Sequence, residues 1–229
     1  MAAEQNPTAA AVVLASGAGT RVGAGVNKVY LPLAGRPIVA WSLAAFARTP
    51  GVGVLVFVIR PQDRALAEEA LSGLGARAEI VHGGASRQDS ELNALRHLAG
   101  RIESGAVDAV LLHDGARPLV TPALITEVLR TAREHGGAMP GVVADDIVTD
   151  EGARPPGTLV RAQTPQGFRA APLVAAYEQA AREGFAGTDT ASVMERYSRT
   201  PVRWVPGAVE NIKVTYPHDL LVAGRILAR

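Results

Sequence analysis

The chain has 229 residues, 48% hydrophobic and 20% charged, with a formal net charge of +1; that is enough for one large α/β domain or two small ones, and it shows none of the basic excess of a nucleic-acid-binding surface. It contains no cysteine, which excludes disulfides, thiolate metal sites and a cysteine nucleophile. Residues 1–7 lack the basic-then-apolar pattern of a signal peptide and no apolar run is long enough to cross a bilayer, so a cytoplasmic protein with no membrane partner is expected.

The first predicted element is an apolar strand at residues 11–14. It feeds the turn Ala15-Ser16-Gly17-Ala18-Gly19-Thr20-Arg21, with Lys28 seven residues beyond Arg21. Glycines there let the backbone approach a ligand closely, and successive free N–H groups make an anion-binding concavity. Helix, strand and helix patterns follow at 38–48, 54–59 and 62–71, the last opened by Pro61-Gln62-Asp63. A strand at 79–81 and a helix at 88–102 lead to a strand at 109–113 that ends on Asp114. A helix at 122–135 starts with Thr121 before Pro122, the expected entry chemistry. After a strand at 141–143, residues 145–167 turn rich in Pro, Gly and charge, with Pro155-Pro156-Gly157 as a turn, and read as a protruding hairpin or arm. A helix at 172–183, a strand at 202–205 and a helix at 219–228 close the chain. Such alternation predicts an α/β fold, a mostly parallel sheet with helices on both faces.

Three loop chemistries compete for the glycine turn. No Gly-x-x-x-x-Gly-Lys-Ser/Thr string occurs, which argues against a P-loop. Gly17, Gly19 and Gly23 resemble a Rossmann dinucleotide spacing and keep a nicotinamide-dependent oxidoreductase open. The second strand, however, ends in Arg60-Pro61 instead of the acidic residue that holds ribose hydroxyls, although an arginine there suits a 2′-phosphate. In the third reading Gly17 to Thr20 cradle a triphosphate, and Arg21 and Lys28 neutralise the leaving pyrophosphate. Solvated surface positions are the alternative for both cations. Asp114, at the carboxyl edge of the sheet, either orients a Mg²⁺ and substrate or caps a turn. Ser90 stands near a helix start, where a capping role competes with a ligand role. His113 reads as a packed strand residue. Lys213 lies in a strand-like Ile212-Lys213-Val214 alternation, with a solvent-facing position as its alternative.

The string Leu14-Ala15-Ser16-Gly17-Ala18-Gly19-Thr20-Arg21, then Asn27-Lys28 and Leu33-Ala34-Gly35-Arg36-Pro37-Ile38, resembles the start of the sugar-nucleotidyltransferase superfamily. Gly83-Gly84-Ala85-Ser86-Arg87-Gln88-Asp89-Ser90, His113-Asp114-Gly115-Ala116-Arg117-Pro118, Gln163-Thr164-Pro165-Gln166-Gly167-Phe168, Thr188-Asp189-Thr190-Ala191-Ser192 and Asn211-Ile212-Lys213-Val214-Thr215 follow in order. Together they resemble the 2-C-methyl-D-erythritol 4-phosphate cytidylyltransferase family of the non-mevalonate isoprenoid pathway. The resemblance covers essentially the whole chain. It implies one nucleotidyltransferase domain over residues 1–229 with an arm inserted at about 145–167, CTP as co-substrate, Mg²⁺, and a homodimer built on the arms. It implies catalytic roles for Arg21, Lys28, Asp114 and Lys213, with Asp114 also as the metal contact. Nucleotide contacts fall on Ala15, Ser16, Gly17, Ala18, Gly19, Thr20, Gly84, Ala85 and Ser90, and substrate contacts on Arg117, Asp146 and Thr164.

The arm departs from the family pattern. Where members carry Asp-Thr-Ile-Lys this chain reads Asp145-Asp146-Ile147-Val148, and a carboxylate beside an incoming phosphate monoester repels it unless a cation intervenes. Counting back from Thr164, the family's phosphate-holding arginine falls on Pro156, with Arg154 displaced and Arg161 as another substitute. The nucleotide half of the site therefore follows the family more closely than the acceptor half. Ribitol 5-phosphate, another phosphate or phosphonate acceptor, and a non-catalytic CTP-binding homologue stay open beside methylerythritol phosphate.

Overall fold

The computed structural model describes residues 7–17 and 27–228. The chain runs through β1 (Thr8–Leu14), a 3₁₀ turn (Lys28–Tyr30), a small hairpin of β2 (Pro32–Leu33) and β3 (Arg36–Pro37), α1 (Ile38–Ala47), β4 (Val52–Ile59) and α2 (Arg64–Ser72). It continues through β5 (Glu79–His82), α3 (Arg87–Glu103), β6 (Val107–Asp114), α4 (Pro122–His135), β7 (Gly137–Val143), β8 (Val160–Ala162) and β9 (Gln166–Arg169). The last elements are α5 (Ala170–Glu183), α6 (Thr190–Tyr197), β10 (Val202–Pro206) and α7 (Pro217–Leu227).

The main sheet has the order β10-β7-β9-β6-β1-β4-β5, with β8 added on β7. β1 lies in the interior of the sheet, between β6 and β4, and runs parallel to both neighbours, Val12 standing opposite Val56 of β4 and Leu112 of β6. Alternation along these strands builds two cores. Ala9, Ala11 and Val13, with Leu55, Phe57 and Leu111, face a layer that includes Phe46 of α1 and Ile125 of α4. Ala10, Val12 and Leu14, with Val56, Val110 and Leu112, face Leu95 of α3, Tyr177 of α5 and Met194 of α6. Strands buried on both faces read as continuous apolar runs, which is why they were legible. The α/β class with helices on both faces holds.

Four features differ from the sequence expectation. The segment 145–167 is only in part an arm: β7 ends at Val143, the chain loops out and returns in β8, with the Ala144 N–H donating to the Leu159 carbonyl at 2.9 Å. From Gln163 it is already inside, and β9 pairs antiparallel with both β6 and β7. Gly167 makes this possible, because a Cβ there would stand 2.9 Å from Leu111 Cδ2 and 3.0 Å from Val128 Cγ1. A polar string with one Phe gave no strand signal. Helix α6 has no counterpart among the predicted elements; its start lies in Asp189-Thr190-Ala191-Ser192, where Asp189 accepts from the Ser192 N–H and the Ser192 hydroxyl answers in a capping box. Lys213 lies in irregular chain, not in a strand. Ser90 does not cap α3: Ser86 does, in a capping box with Asp89. Among the described residues no helix is long and apolar enough to cross a membrane.

Candidate active site

A parallel sheet gathers its loops at the carboxyl ends of its strands, and the crevice beside them is where ligands settle in open α/β sheets. Here the ends of β1, β4, β5 and β6 enclose a cavity of about 480 Å³. Ala15, Ser16 and Gly17 come from the end of β1, Arg60 from β4, Gly84 and Ala85 from beyond β5, and Asp114 from β6. Lys28, Arg87 and Lys213 complete a wall with four cationic side chains against one carboxylate. Such a balance suits a polyanion. Of the residues expected at the glycine turn, Ala18, Gly19, Thr20 and Arg21 lie outside the described residues, as does Gly23.

Two hydrogen-bonded clamps shape the entrance from β1. Ser90 is buried, and its hydroxyl receives the Ser16 hydroxyl at 2.8 Å and the Gly84 N–H at 3.1 Å while donating to the Ser86 carbonyl at 2.8 Å. It therefore ties the β1 loop to the β5 loop from behind the cavity wall. The approach is tight: a Cβ on Gly83 would fall 2.4 Å from Ser16 Cβ. On the other side the Asn27 amide donates to the Ala15 carbonyl at 2.7 Å and to Asp63 Oδ2 at 3.1 Å, and its oxygen accepts from the Val29 N–H. Asp63 is itself held by a two-point pair with Arg60, at 2.8 and 2.9 Å. Asn27 thus begins the short 3₁₀ turn that places Lys28, itself almost buried, on the cavity.

Asp114 is the centre of the opposite wall. Its Oδ2 meets Lys213 Nζ at 2.7 Å, its Oδ1 stands 3.5 Å from the Arg87 guanidinium, and Arg117 Nε is 4.0 Å from Oδ2. Burial would push its pKa up, but the charges of Arg87 and Lys213 outweigh that and hold the carboxyl well below the usual carboxylate range. It is an ionised organiser and not a cap. Lys213 reaches it from the stretch after β10, which Arg117 anchors by donating from Nη1 to the Asn211 carbonyl at 2.7 Å. Gln163 and Asn211 lock the same stretch, through Gln163 Nε2 to the Ala208 carbonyl and Asn211 Nδ2 to the Thr164 carbonyl, at 2.7 and 3.0 Å.

Thr164 and His113 work beneath Asp114. His113 Nε2 faces the Arg117 carbonyl at 3.1 Å, an acceptor only, so Nε2 carries the proton and Nδ1 is free to accept. The Thr164 hydroxyl fills that place at 3.1 Å and in turn accepts the Asp114 N–H at 3.1 Å. Burial lowers the His113 pKa to about 4, in keeping with a neutral ring. His113 is the packed strand residue that was expected.

The structure brings Ala15, Ser16, Gly17, Lys28, Gly84, Ala85, Asp114 and Lys213 to one cavity, and sets Ser90, Arg117 and Thr164 in the layer that supports it. It does not bring Asp146 there. Asp146 is exposed on the hairpin, 3.5 Å from Arg161, which is the intervening cation an acidic residue at that place requires. Arg154 and Pro156 are exposed on the same hairpin. The sequence gives no role to Arg87 or Asn27, and weighs Arg60 only as a partner for a 2′-phosphate. The signal for Arg87 was its spacing four residues before Glu91 at a helix start, an ion-pairing distance on a helix surface.

Residues 9–229 match the family model described as 2-C-methyl-D-erythritol 4-phosphate cytidylyltransferase. Among similar proteins, the enzyme of that name from Cereibacter sphaeroides strain KD131 is 45% identical, covering 96% of this chain and 97% of its own. Its counterpart from Geobacter metallireducens is 41% identical over 93% and 94%. Of solved structures, the 2-C-methyl-D-erythritol 4-phosphate cytidylyltransferase of Thermus thermophilus superposes with a TM-score of 0.73 at 30% identity, over 96% of this chain and 98% of that one. The 4-diphosphocytidyl-2C-methyl-D-erythritol synthase of Anaerococcus prevotii reaches 0.83 at 24% identity, over 98% and 97%, and speaks for the fold.

The neutral, buried His113 has a pH signature. Its folded pKa of about 4 lies below the ordinary value of 6.5, so the unfolded chain binds the extra proton first as pH falls. The stability it contributes is complete above pH 6.5 and is lost progressively toward pH 4, by up to about 3 kcal/mol. Urea unfolding at pH 7 and pH 4.5 should show this loss in the wild type and a smaller one in His113→Gln.

Proposed function

The chain belongs to the 2-C-methyl-D-erythritol 4-phosphate cytidylyltransferase family, and from that premise we propose how its residues carry the reaction. The enzyme joins CTP to 2-C-methyl-D-erythritol 4-phosphate, releasing pyrophosphate, a step of isoprenoid precursor synthesis. An oxygen of the acceptor's phosphate attacks the α-phosphorus of CTP, and the bond to the β-phosphate breaks in line with it. The acceptor phosphate is already largely ionised near neutral pH, so no side chain need act as a base. What the protein must supply is position and charge stabilisation.

The observation that carries the assignment of roles is the cation-rich cavity at the sheet's carboxyl edge. In this reading Gly84 and Ala85 offer backbone groups to the cytosine, with Ser90 setting their spacing through its bonds to Ser16 and Gly84. Ala15 to Thr20 cradle the triphosphate. Arg21, Lys28 and Lys213 neutralise the charge that builds on the α-phosphate and the departing pyrophosphate. Asp114 aims Lys213, while Thr164 and Arg117 hold Asp114 and the Lys213 loop in place beside the substrate contacts expected of them. Asp146 belongs to the acceptor end only as a pair with Arg161.

Mg²⁺ fits in one mode. Among the described residues no group of three or more His, Asp or Glu side chains could hold a metal, so an ion would travel on the nucleotide phosphates and meet a single carboxylate, Asp114, as Mg²⁺ commonly does. When bound it would further neutralise those phosphates. The reading also includes a homodimer through the arm, supported by Val143, Ile147 and Val148, which are 51%, 40% and 54% exposed on the hairpin. We take residues 1–229 as one catalytic unit acting in the cytoplasm. A nicotinamide site is not favoured by the family assignment, and Arg60 is already engaged by Asp63.

Pyrophosphate release from CTP and Mg²⁺ should appear with methylerythritol phosphate and not with ribitol 5-phosphate. Lys28→Ala and Lys213→Ala should each lower kcat by roughly 10²–10³-fold while the thermal midpoint stays within a few degrees; near-normal turnover in both would refute the charge-stabilisation roles. Sedimentation should find a dimer that Val148→Asp weakens, and a wild-type monomer would rule out the arm interface.

A further inference from the structure

Glu91 has no part in the reaction as described, yet it is one of the least exposed charged residues of the protein, at 1%. An acid is rarely buried this fully unless its partners are fixed around it, since an unpaired buried charge is costly. Its two oxygens meet three partners. Oε1 forms an ion pair with Arg87 Nη1 at 2.8 Å and accepts the Thr190 hydroxyl at 3.1 Å, and Oε2 accepts the Tyr177 hydroxyl at 2.6 Å. These partners come from α3, α6 and α5, so three helices must be packed correctly before the carboxylate is satisfied.

What this arrangement fixes is the direction of Arg87. One nitrogen of the guanidinium is engaged by Glu91, while the Nε and Nη2 edge faces Asp114 with both atoms 3.5 Å from Oδ1. That is longer than the 2.7–2.9 Å usual for charge-assisted bonds between such groups. Arg87 lines the cavity, so this loosely engaged edge looks onto the space beside the Asp114 carboxylate. Without Glu91 the guanidinium would close on Asp114 as a two-point pair and compete with Lys213 for it.

We propose that Glu91 is a positioning residue of the nucleotide site, holding Arg87 back by one nitrogen so that its opposite edge, only loosely held by Asp114, can take an oxygen of the bound nucleotide. This rests on the reading of the cavity as the CTP site. Glu91 acts through Arg87, and the two should therefore behave as a unit rather than as independent contributions.

A double-mutant cycle tests this, with KM for CTP, KM for the acceptor and kcat measured in wild type, Glu91→Gln, Arg87→Met and the double variant, and thermal midpoints recorded alongside. Glu91→Gln should raise KM for CTP by about tenfold with the acceptor's KM unchanged, in line with the cost of small misplacements. In the Arg87→Met background it should add nothing beyond about twofold. A wild-type KM for CTP in Glu91→Gln, or a double variant showing the product of the two single effects, would overturn the proposal. If Glu91→Gln does not fold, Tyr177→Phe takes its place in the cycle. It removes one donor from Glu91 and should raise KM for CTP less, again only while Arg87 is present; no rise at all would count against the proposal. Wild-type protein that turns over no CTP would strike the functional reading instead, so the two failures are distinct.

Discussion

The site depends on one carboxylate held ionised among cations at the end of a buried strand. Asp114 would be unstable there alone, and Lys213, Arg87 and Arg117 would repel one another without it. Each cation comes from a different part of the chain: the start of α3, the turn after β6 and the loop after β10. The Asp114 charge draws them to one edge of the sheet, and the 2.7 Å contact to Lys213 fixes a lysine that irregular backbone would otherwise leave loose. The chemistry of a polyphosphate, which needs several positive charges close together, is prepared in this way before the ligand arrives.

The rest of the fold keeps that carboxylate in place. β6 delivers Asp114 beside the end of β1, where the Gly115 N–H donates to the Leu14 carbonyl at 2.9 Å. Behind it, the neutral His113 and the Thr164 hydroxyl form a chain of donors and acceptors with no slack, since each atom has one role left to fill. The same logic recurs at the mouth, where Ser90 joins the β1 and β5 loops and Asn27 joins β1 to the Lys28 turn. Polar groups in these places are buried and satisfied, so they specify geometry at little cost.

Much of the scaffold was legible because β1, β4 and β6 are buried on both faces and read as unbroken apolar runs. Lys28, Asp114 and Lys213 were legible as chemistry, through charge after a glycine turn and through motif order. What stayed hidden depends on contacts far apart in sequence. β9 is a strand because Gly167 fits under Leu111 and Val128, which no local pattern announces. Ser90 lies near a helix start, where a cap and a nucleotide contact compete in the sequence; the capping box belongs to Ser86 and Asp89, and Ser90 instead bonds a residue 74 positions away. Glu91 and Arg87 sat at ordinary ion-pair spacing, and only the packing of α5 and α6 against α3 shows that the pair is buried.

Single-turnover rates and CTP affinity of Asp114→Asn, measured together, test most directly whether this carboxylate organises the site. Removing it deletes a negative charge near the triphosphate, so CTP binding measured without added Mg²⁺ should be retained or tightened. The chemical step should nonetheless slow by on the order of 10²-fold, because Lys213 is no longer aimed. A rate unchanged from wild type would contradict the central place given to Asp114.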